Sequence, residues 1–334
     1  MKKLILAAVC LMFAFAFMAP VAADAAPELI MRFAGQVPPE HPATGYMNEI
    51  AKEVLEKTNG RIEIKVYPAN QLGDYTLVYQ ELIRGTIDMA MISIPGDIDP
   101  RVNFVYTNGL AWDYKQLADF FEPGAWAYRK MDEFNQNLGV KFLGFHPEGF
   151  IGLASTKPLV EPLNPKVDKG VLCRVPNMQV YKDGAEAMGF RTVTIPYSDL
   201  YVSMQTGVCD AVDGIPPQAS YTILKDVMKH WYQLNYSMEV FPAMMSMKTW
   251  AKLSDADKKI VEDACARTSA LSVKNAERDD NAAMELMKKQ GIEVNVYTAE
   301  ELEPIRQAVI ASWPKLNGTW GKEFVDEMIA EVGK

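Results

Sequence analysis

The chain has 334 residues, of which 49% are hydrophobic, and acidic side chains outnumber basic ones by 43 to 34. The length suits one large or two medium domains. The acidic balance argues against a nucleic-acid partner and leaves the sign of a small ligand open.

Lys2 and Lys3 precede an apolar run from Leu4 to Met18, and Ala23-Asp24-Ala25 supplies a small-x-small cleavage site. This predicts a secretory signal peptide over 1–25 and an exported, soluble chain of about 309 residues. Cys10 follows Val9 and lies too early for a lipoprotein site. No later apolar run is long enough to span a bilayer, so the mature protein is not expected to be membrane-embedded. Cys173, Cys209 and Cys265 remain, an odd number that excludes a full disulfide framework. A Cys173–Cys209 bridge and three small buried hydrophobes both fit the sequence.

Residues 29–36 read as a strand, and the following segment carries Met47, Ile50, Ala51, Val54 and Leu55 on one helical face before Asn59-Gly60 stops it. RIEIKVYP (61–68) alternates as a strand, DYTLVYQELIRG is a short helix, and 86–94 is another strand. Strand alternating with helix implies an open α/β sheet. Residues 113–139 are mostly helical and 140–146 are a strand; four prolines within 147–170 predict a loop-rich segment. The alternation restarts with VLCRVP (171–176) and runs to a helix at about 217–230, a second α/β unit from residue 152. Residues 232–250 read as one extended crossing. Residues 253–291 read as one helix, started by Ser254 with Asp257. Such a helix spans about 45 Å and is expected to brace two lobes. A late strand and two short helices finish the chain.

Signals for catalysis are few. The only histidines are His41, His146 and His230, and no metalloprotease helix, Cys-x-x-Cys, nucleophile elbow or phosphate-binding loop occurs. No metal site and no cofactor are expected. An exported two-lobed α/β chain of this kind suggests a hinged protein that captures a ligand between its lobes. Ligands of open α/β sheets bind beyond the carboxyl ends of strands. Gln36, Ser93, Arg174 and Asp213-Gly214-Ile215 all fall there. Arg174 stands out as a permanent charge inside VLCRVP, with Val171, Leu172 and Cys173 before it and Val175 and Pro176 after it. A guanidinium in such a strand needs a partner, either an internal acid or a ligand.

Several spaced motifs resemble the periplasmic solute-binding proteins of TRAP (tripartite ATP-independent periplasmic) transporters, the DctP-like family. NQLGD (70–74) with YQELIRGTIDMAMIS (79–93) is similar to the family's first-lobe signature, residues 170–214 to its long central motif, and 247–264 to the start of its long helix. The resemblance covers essentially the whole mature chain. It implies a two-lobed periplasmic-binding-protein fold with a hinge, lobe I formed by 26–151 plus about 240–280 and lobe II by 152–239 plus about 281–334. It also implies capture of an organic acid in the periplasm, delivery to TRAP membrane subunits, a monomer and no enzymatic role. Arg174 falls on the family's carboxylate-binding arginine, and a planar guanidinium does grip a carboxylate with two parallel hydrogen bonds.

The departures bear on the ligand. Ile151 stands where relatives often have arginine, Gly214 where they usually have asparagine, and Ala111-Trp112 where many have Pro-Phe. Losing a charged and a polar donor favours a monocarboxylate with a bulky apolar or aromatic body, such as an aryl keto acid, an aryl acetate or an aromatic amino acid. A small dicarboxylate or hydroxy acid is the alternative, if another side chain supplies the missing charge. Phe150, Tyr197, Tyr201 and Trp112 are stacking candidates or plain core. Glu148 and Asp213 are candidates to receive an amino group, to solvate a loop or to pair with Arg174; His41 falls at the cleft mouth or on a surface loop. A ligand-binding component of a chemosensory system and a secreted enzyme are the rival functions.

Overall fold

The computed structural model describes residues 26–332, so the expected leader lies outside the described residues. The first lobe begins with β1 (Leu29–Gly35), α1 (Pro42–Lys57), β2 (Ile62–Tyr67), α2 (Tyr75–Arg84) and β3 (Met89–Met91). Each helix has a local reason for its ends. The His41 ring accepts from the amide of Ala43 at the start of α1, and Asp74 caps α2. Gly85, at φ +78°, closes α2 in the left-handed conformation that suits glycine.

A 3₁₀ turn (Pro100–Tyr106) precedes α3 (Tyr114–Phe121) and α4 (Trp126–Asn137). The mostly helical stretch expected over 113–139 is thus two helices. Pro123 and Gly124, the latter at φ +85°, break it. Next comes β4, which runs on from Val140 to Phe150 rather than stopping at 146. The segment expected to be loop-rich therefore opens as strand, because β4 finds a ladder partner along its whole length, out to Phe150 opposite Met238.

The second lobe contains β5 (Leu153–Ser155), β6 (Leu172–Val175), α5 (Gln179–Ala187), β7 (Arg191–Thr194), α6 (Leu200–Gln205), β8 (Ala211–Val212), α7 (Pro217–Leu224) and β9 (His230–Gln233). The chain returns through β10 (Met238–Ser246), then α8 (Met247–Trp250), α9 (Asp255–Lys289) and β11 (Glu293–Val296). The expected crossing over 232–250 is split between the two sheets, with a bend at Asn235 (φ +51°). Helices α10 (Ala299–Ile310), α11 (Asn317–Trp320) and α12 (Lys322–Val332) follow.

The strands form two sheets, ordered β2-β1-β3-β10-β4 and β11-β9-β5-β8-β6-β7. This is the two-lobed α/β architecture. Two short segments cross between the sheets, 151–152 and 234–237. They are tied to each other by Ile151 N–H donating to Ser237 O (2.9 Å) and by the Gln233 amide donating to Phe150 O (3.2 Å). Beside the second crossing the β4–β10 register shifts between Glu239 and Val240. Such a bulge bends a strand and re-aims its side chains.

Helix α9 braces both lobes, packing on β4 and α1 on one side and on α7 and β11 on the other. Its buried Asp280 reaches the first crossing, where the carboxylate accepts from Phe150 N–H (3.0 Å) and Tyr114 O–H (2.6 Å). The C-terminal helices close the aromatic core of the first lobe, with Phe324 stacked on Trp126 and edge-on to Phe104 and Phe134. Cys173, Cys209 and Cys265 are all free thiols, buried as small hydrophobes.

Gly149, at φ +153°, lies against Asp280: a Cβ there would come within 2.0 Å of Oδ2. Gly149→Ala is therefore expected to destabilise the protein by about 2–4 kcal/mol through backbone strain and overpacking. Urea denaturation tests this, and an unchanged midpoint would refute it.

Candidate ligand-binding site

Arg174 lies on β6, second from the β7 edge of the second sheet, in register with Val193 of β7 and Val212 of β8. The side chain leaves the strand and is only 1% exposed. Its Nε donates to Ile195 O (2.9 Å) and its Nη1 to Asp213 O (3.0 Å). Both acceptors are main-chain carbonyls. Among the described residues no carboxylate lies within ion-pair reach of Arg174. Asp213 is close, but its side chain turns elsewhere: Oδ1 accepts from Tyr236 O–H and Oδ2 has no partner. Burial pushes the Asp213 carboxyl up to about 8 and draws the Arg174 guanidinium down from its ordinary value.

Arg174 borders a cavity between the lobes. The first lobe and its return strand contribute Gln36, Tyr75, Ser93, Glu148, Glu239 and Phe241; the second contributes Arg174, Pro176, Met178, Tyr181, Tyr197, Gly214 and Ile215. The empty space is about 20 Å³, room for a single water, so the lobes are closed. A ligand larger than that enters only when the lobes part.

A polar chain runs along the first-lobe wall and continues into the second lobe. Gln36 donates to the Ser93 hydroxyl (3.0 Å) and accepts from Ser93 N–H (2.9 Å). Ser93 O–H donates to Glu239 Oε1 (2.8 Å), and Tyr181 O–H donates to Glu239 Oε2 (2.9 Å). Glu239 comes from β10 and Tyr181 from α5, so this last bond joins the lobes. Burial, with repulsion from Glu148, pushes the Glu239 carboxyl up to about 8. Glu148 lies 2.6 Å from His41 Nε2. The Tyr197 hydroxyl is buried without a partner.

Of the residues singled out in the sequence, Gln36, Ser93, Glu148, Arg174, Tyr197, Gly214 and Ile215 share this cavity, and Asp213 adjoins it through its carbonyl. Phe150, Ile151, Trp112, Tyr201 and His41 do not line it. Ile151 and Phe150 are fully buried in the apolar core at the crossing, with Phe150 edge-on to Tyr114. Trp112 lines a separate surface hollow with Trp126, Trp313 and Arg306. Gly214 leaves no open space in place of the asparagine of relatives: a Cβ there would meet Pro176 at 3.0 Å, and φ is +87°. Sequence reasoning did not single out Tyr75, Tyr181, Glu239 or Phe241. Glu239 gave a usable signal, as the lone acid in a strand whose nine residues are all buried.

Residues 33–318 match the profile of DctP, the bacterial extracellular solute-binding proteins of family 7. The chain belongs to this family. This family 7 protein is 26% identical over 285 residues to the sialic acid-binding periplasmic protein SiaP of Vibrio cholerae, covering 84% of the chain and 86% of that relative. It superposes on a TRAP periplasmic solute-binding protein from Haemophilus influenzae with bound L-gulonate, at TM-score 0.80 and 22% identity, over 91% of this chain and 99% of that one. A Desulfovibrio salexigens TRAP solute-binding protein with bound orotic acid matches at TM-score 0.81 and 20% identity, over 91% and 98%. The expected TRAP-type family and two-lobed fold are therefore established.

The buried acids set a pH dependence. Asp213 and Glu239, both held near 8, keep protons in the native state that the unfolded chain releases near its ordinary carboxyl values. Their contribution is present below those values and is lost as pH rises to about 8. His146, held down to about 3 by burial, acts with the opposite sign, but only below about 6.5. The ligand-free protein is thus expected to lose thermal stability between pH 6.5 and 8, and Glu239→Gln to lose less. Thermal melts at both pH values check this; an identical slope in the variant would contradict it.

Proposed function

We propose that this protein is the periplasmic receptor of a TRAP transporter for an organic monocarboxylate with a bulky apolar or aromatic body, handing it to membrane subunits without chemical conversion. The carrying observation is the Arg174 guanidinium, buried at the interlobe cavity, fixed by two main-chain carbonyls and, among the described residues, matched by no carboxylate. Preset this way, the guanidinium loses little freedom on gripping a carboxylate, and in a desolvated site such a charge-assisted pair is strong.

The walls support the rest of the reading. Tyr75, Tyr181, Tyr197, Phe241, Met178 and Ile215 offer aromatic and apolar surface. Among the described residues, the other acidic or basic side chains lining the cavity are Glu148 and Glu239. A second ligand carboxylate would meet two acids, which disfavours a dicarboxylate. The orotate-bound relative shows that the fold accommodates a planar ring acid in one of its members. A second relative, from Sulfurospirillum deleyianum, has bound succinate and represents the dicarboxylate alternative. Export by a cleaved leader belongs to the same proposal, and among the described residues no helix is long and apolar enough to cross a membrane.

Thermal-shift titration with phenylpyruvate, phenylacetate, phenylalanine, succinate and malate tests this reading. At least one aryl monocarboxylate is expected to stabilise the protein, and Arg174→Ala to weaken that ligand by about tenfold to a hundredfold or more. Tight succinate or malate binding with no aryl response would overturn the apolar body. Undiminished binding by Arg174→Ala would overturn the role of the arginine.

A further inference from the structure

The cavity has a second pole. Glu239 is 5% exposed, and both its oxygens accept from neutral hydroxyls, of Ser93 and Tyr181. No Lys, Arg or His of the described residues lies within ion-pair reach of it. Two hydroxyl donors leave a carboxylate with accepting capacity to spare. Glu148, from β4, lines the same cavity and adds a second acid on that side, with His41 as its neighbour. Arg174, in the same lining, has two of its donors committed to carbonyls and, among the described residues, no carboxylate within ion-pair reach. One buried cation and one buried acid therefore border a single closed space, and neither neutralises the other.

A ligand with only a carboxylate answers half of this arrangement. It would pair Arg174 and leave Glu239 facing an apolar group, which is costly for a buried polar group, or sharing only a neutral hydrogen bond. A keto oxygen beside Glu239 would receive at most a neutral hydrogen bond from its protonated carboxyl, weaker than a charge-assisted one. A ligand with an ammonium next to its carboxylate completes both halves with charge-assisted bonds.

We propose that the physiological ligand is a zwitterion, an amino acid with a bulky apolar or aromatic side chain, its carboxylate held by Arg174 and its ammonium by Glu239. This deepens, and rests on, the monocarboxylate reading above. It selects the amino acid over the keto acid and the aryl acetate, and it makes Glu239 the residue that discriminates among them. Because Glu239 retains its proton near neutral pH in the unliganded cavity, pairing with an ammonium drives that proton off, so binding releases a proton to solvent.

Isothermal titration calorimetry on two matched series decides it: phenylalanine, phenylpyruvate and 3-phenylpropionate, then leucine, 4-methyl-2-oxopentanoate and 4-methylpentanoate. The amino member is expected to bind about tenfold to a hundredfold more tightly than its partners in at least one series. Titrations at pH 7 in buffers of different ionisation enthalpy should show a net proton released on amino-acid binding. Glu239→Gln, nearly isosteric, should abolish the preference and the proton release while still binding the des-amino acid. Should that variant fail to fold, the wild-type preference and proton release decide alone. A keto or des-amino acid binding as tightly as the amino acid overturns the ammonium pole and leaves the monocarboxylate reading standing. No binding by any of the six overturns the proposal, and succinate binding in their place overturns the monocarboxylate reading with it.

Discussion

The structure turns on a guanidinium that is buried without a counter-ion. Arg174 costs desolvation energy, and the two carbonyls that receive it compensate only in part. Those carbonyls belong to Ile195 and Asp213, the residues just past β7 and β8. The neighbouring strands thus fix the direction of the side chain, and the sheet holds it rigidly at its carboxyl edge. Asp213 could have neutralised the arginine. Its carboxyl instead turns to Tyr236, so the site retains an unmatched charge.

Around that charge the two lobes meet through few polar contacts. The bond from Tyr181 to Glu239 is the one that runs through the polar wall of the cavity. Since the remaining walls are aromatic and aliphatic, closure removes apolar surface from water as well as sealing the charged groups in low dielectric. Both effects strengthen any pairing made inside. Two short crossings, one long helix and the C-terminal helices that run from β11 back to the first-lobe core connect the lobes, with Asp280 fastening the long helix to the crossing at Phe150.

Much of this was legible in the sequence, and the exceptions have physical reasons. Period and capping signals located most strands and helices, since these depend on neighbours in sequence. The extension of β4 and the splitting of 232–250 were not legible, because a ladder partner far along the chain decides them. Arg174 was visible as a charge in an apolar strand. Glu239 had the same signature but sat in a segment read only as an extended crossing. Tyr75 and Tyr181 carried no signal, since which turn of a helix faces a distant lobe is set by tertiary packing. Trp112, Phe150 and Ile151 show the converse: adjacency in sequence to cleft residues did not bring them to the cavity. Ile151 weakens the argument from substitution, because its side chain belongs to the core behind the crossing and not to the cavity wall.

The bulge between Glu239 and Val240 has a mechanical consequence. The residue that faces the cavity is also the one paired immediately before the register shift, close to where the chain passes between lobes. A group that holds Glu239 therefore acts on the bending segment itself, with almost no lever arm. Occupancy and domain angle become two readings of one local coordinate, and a partner that senses the angle senses the ligand without touching it.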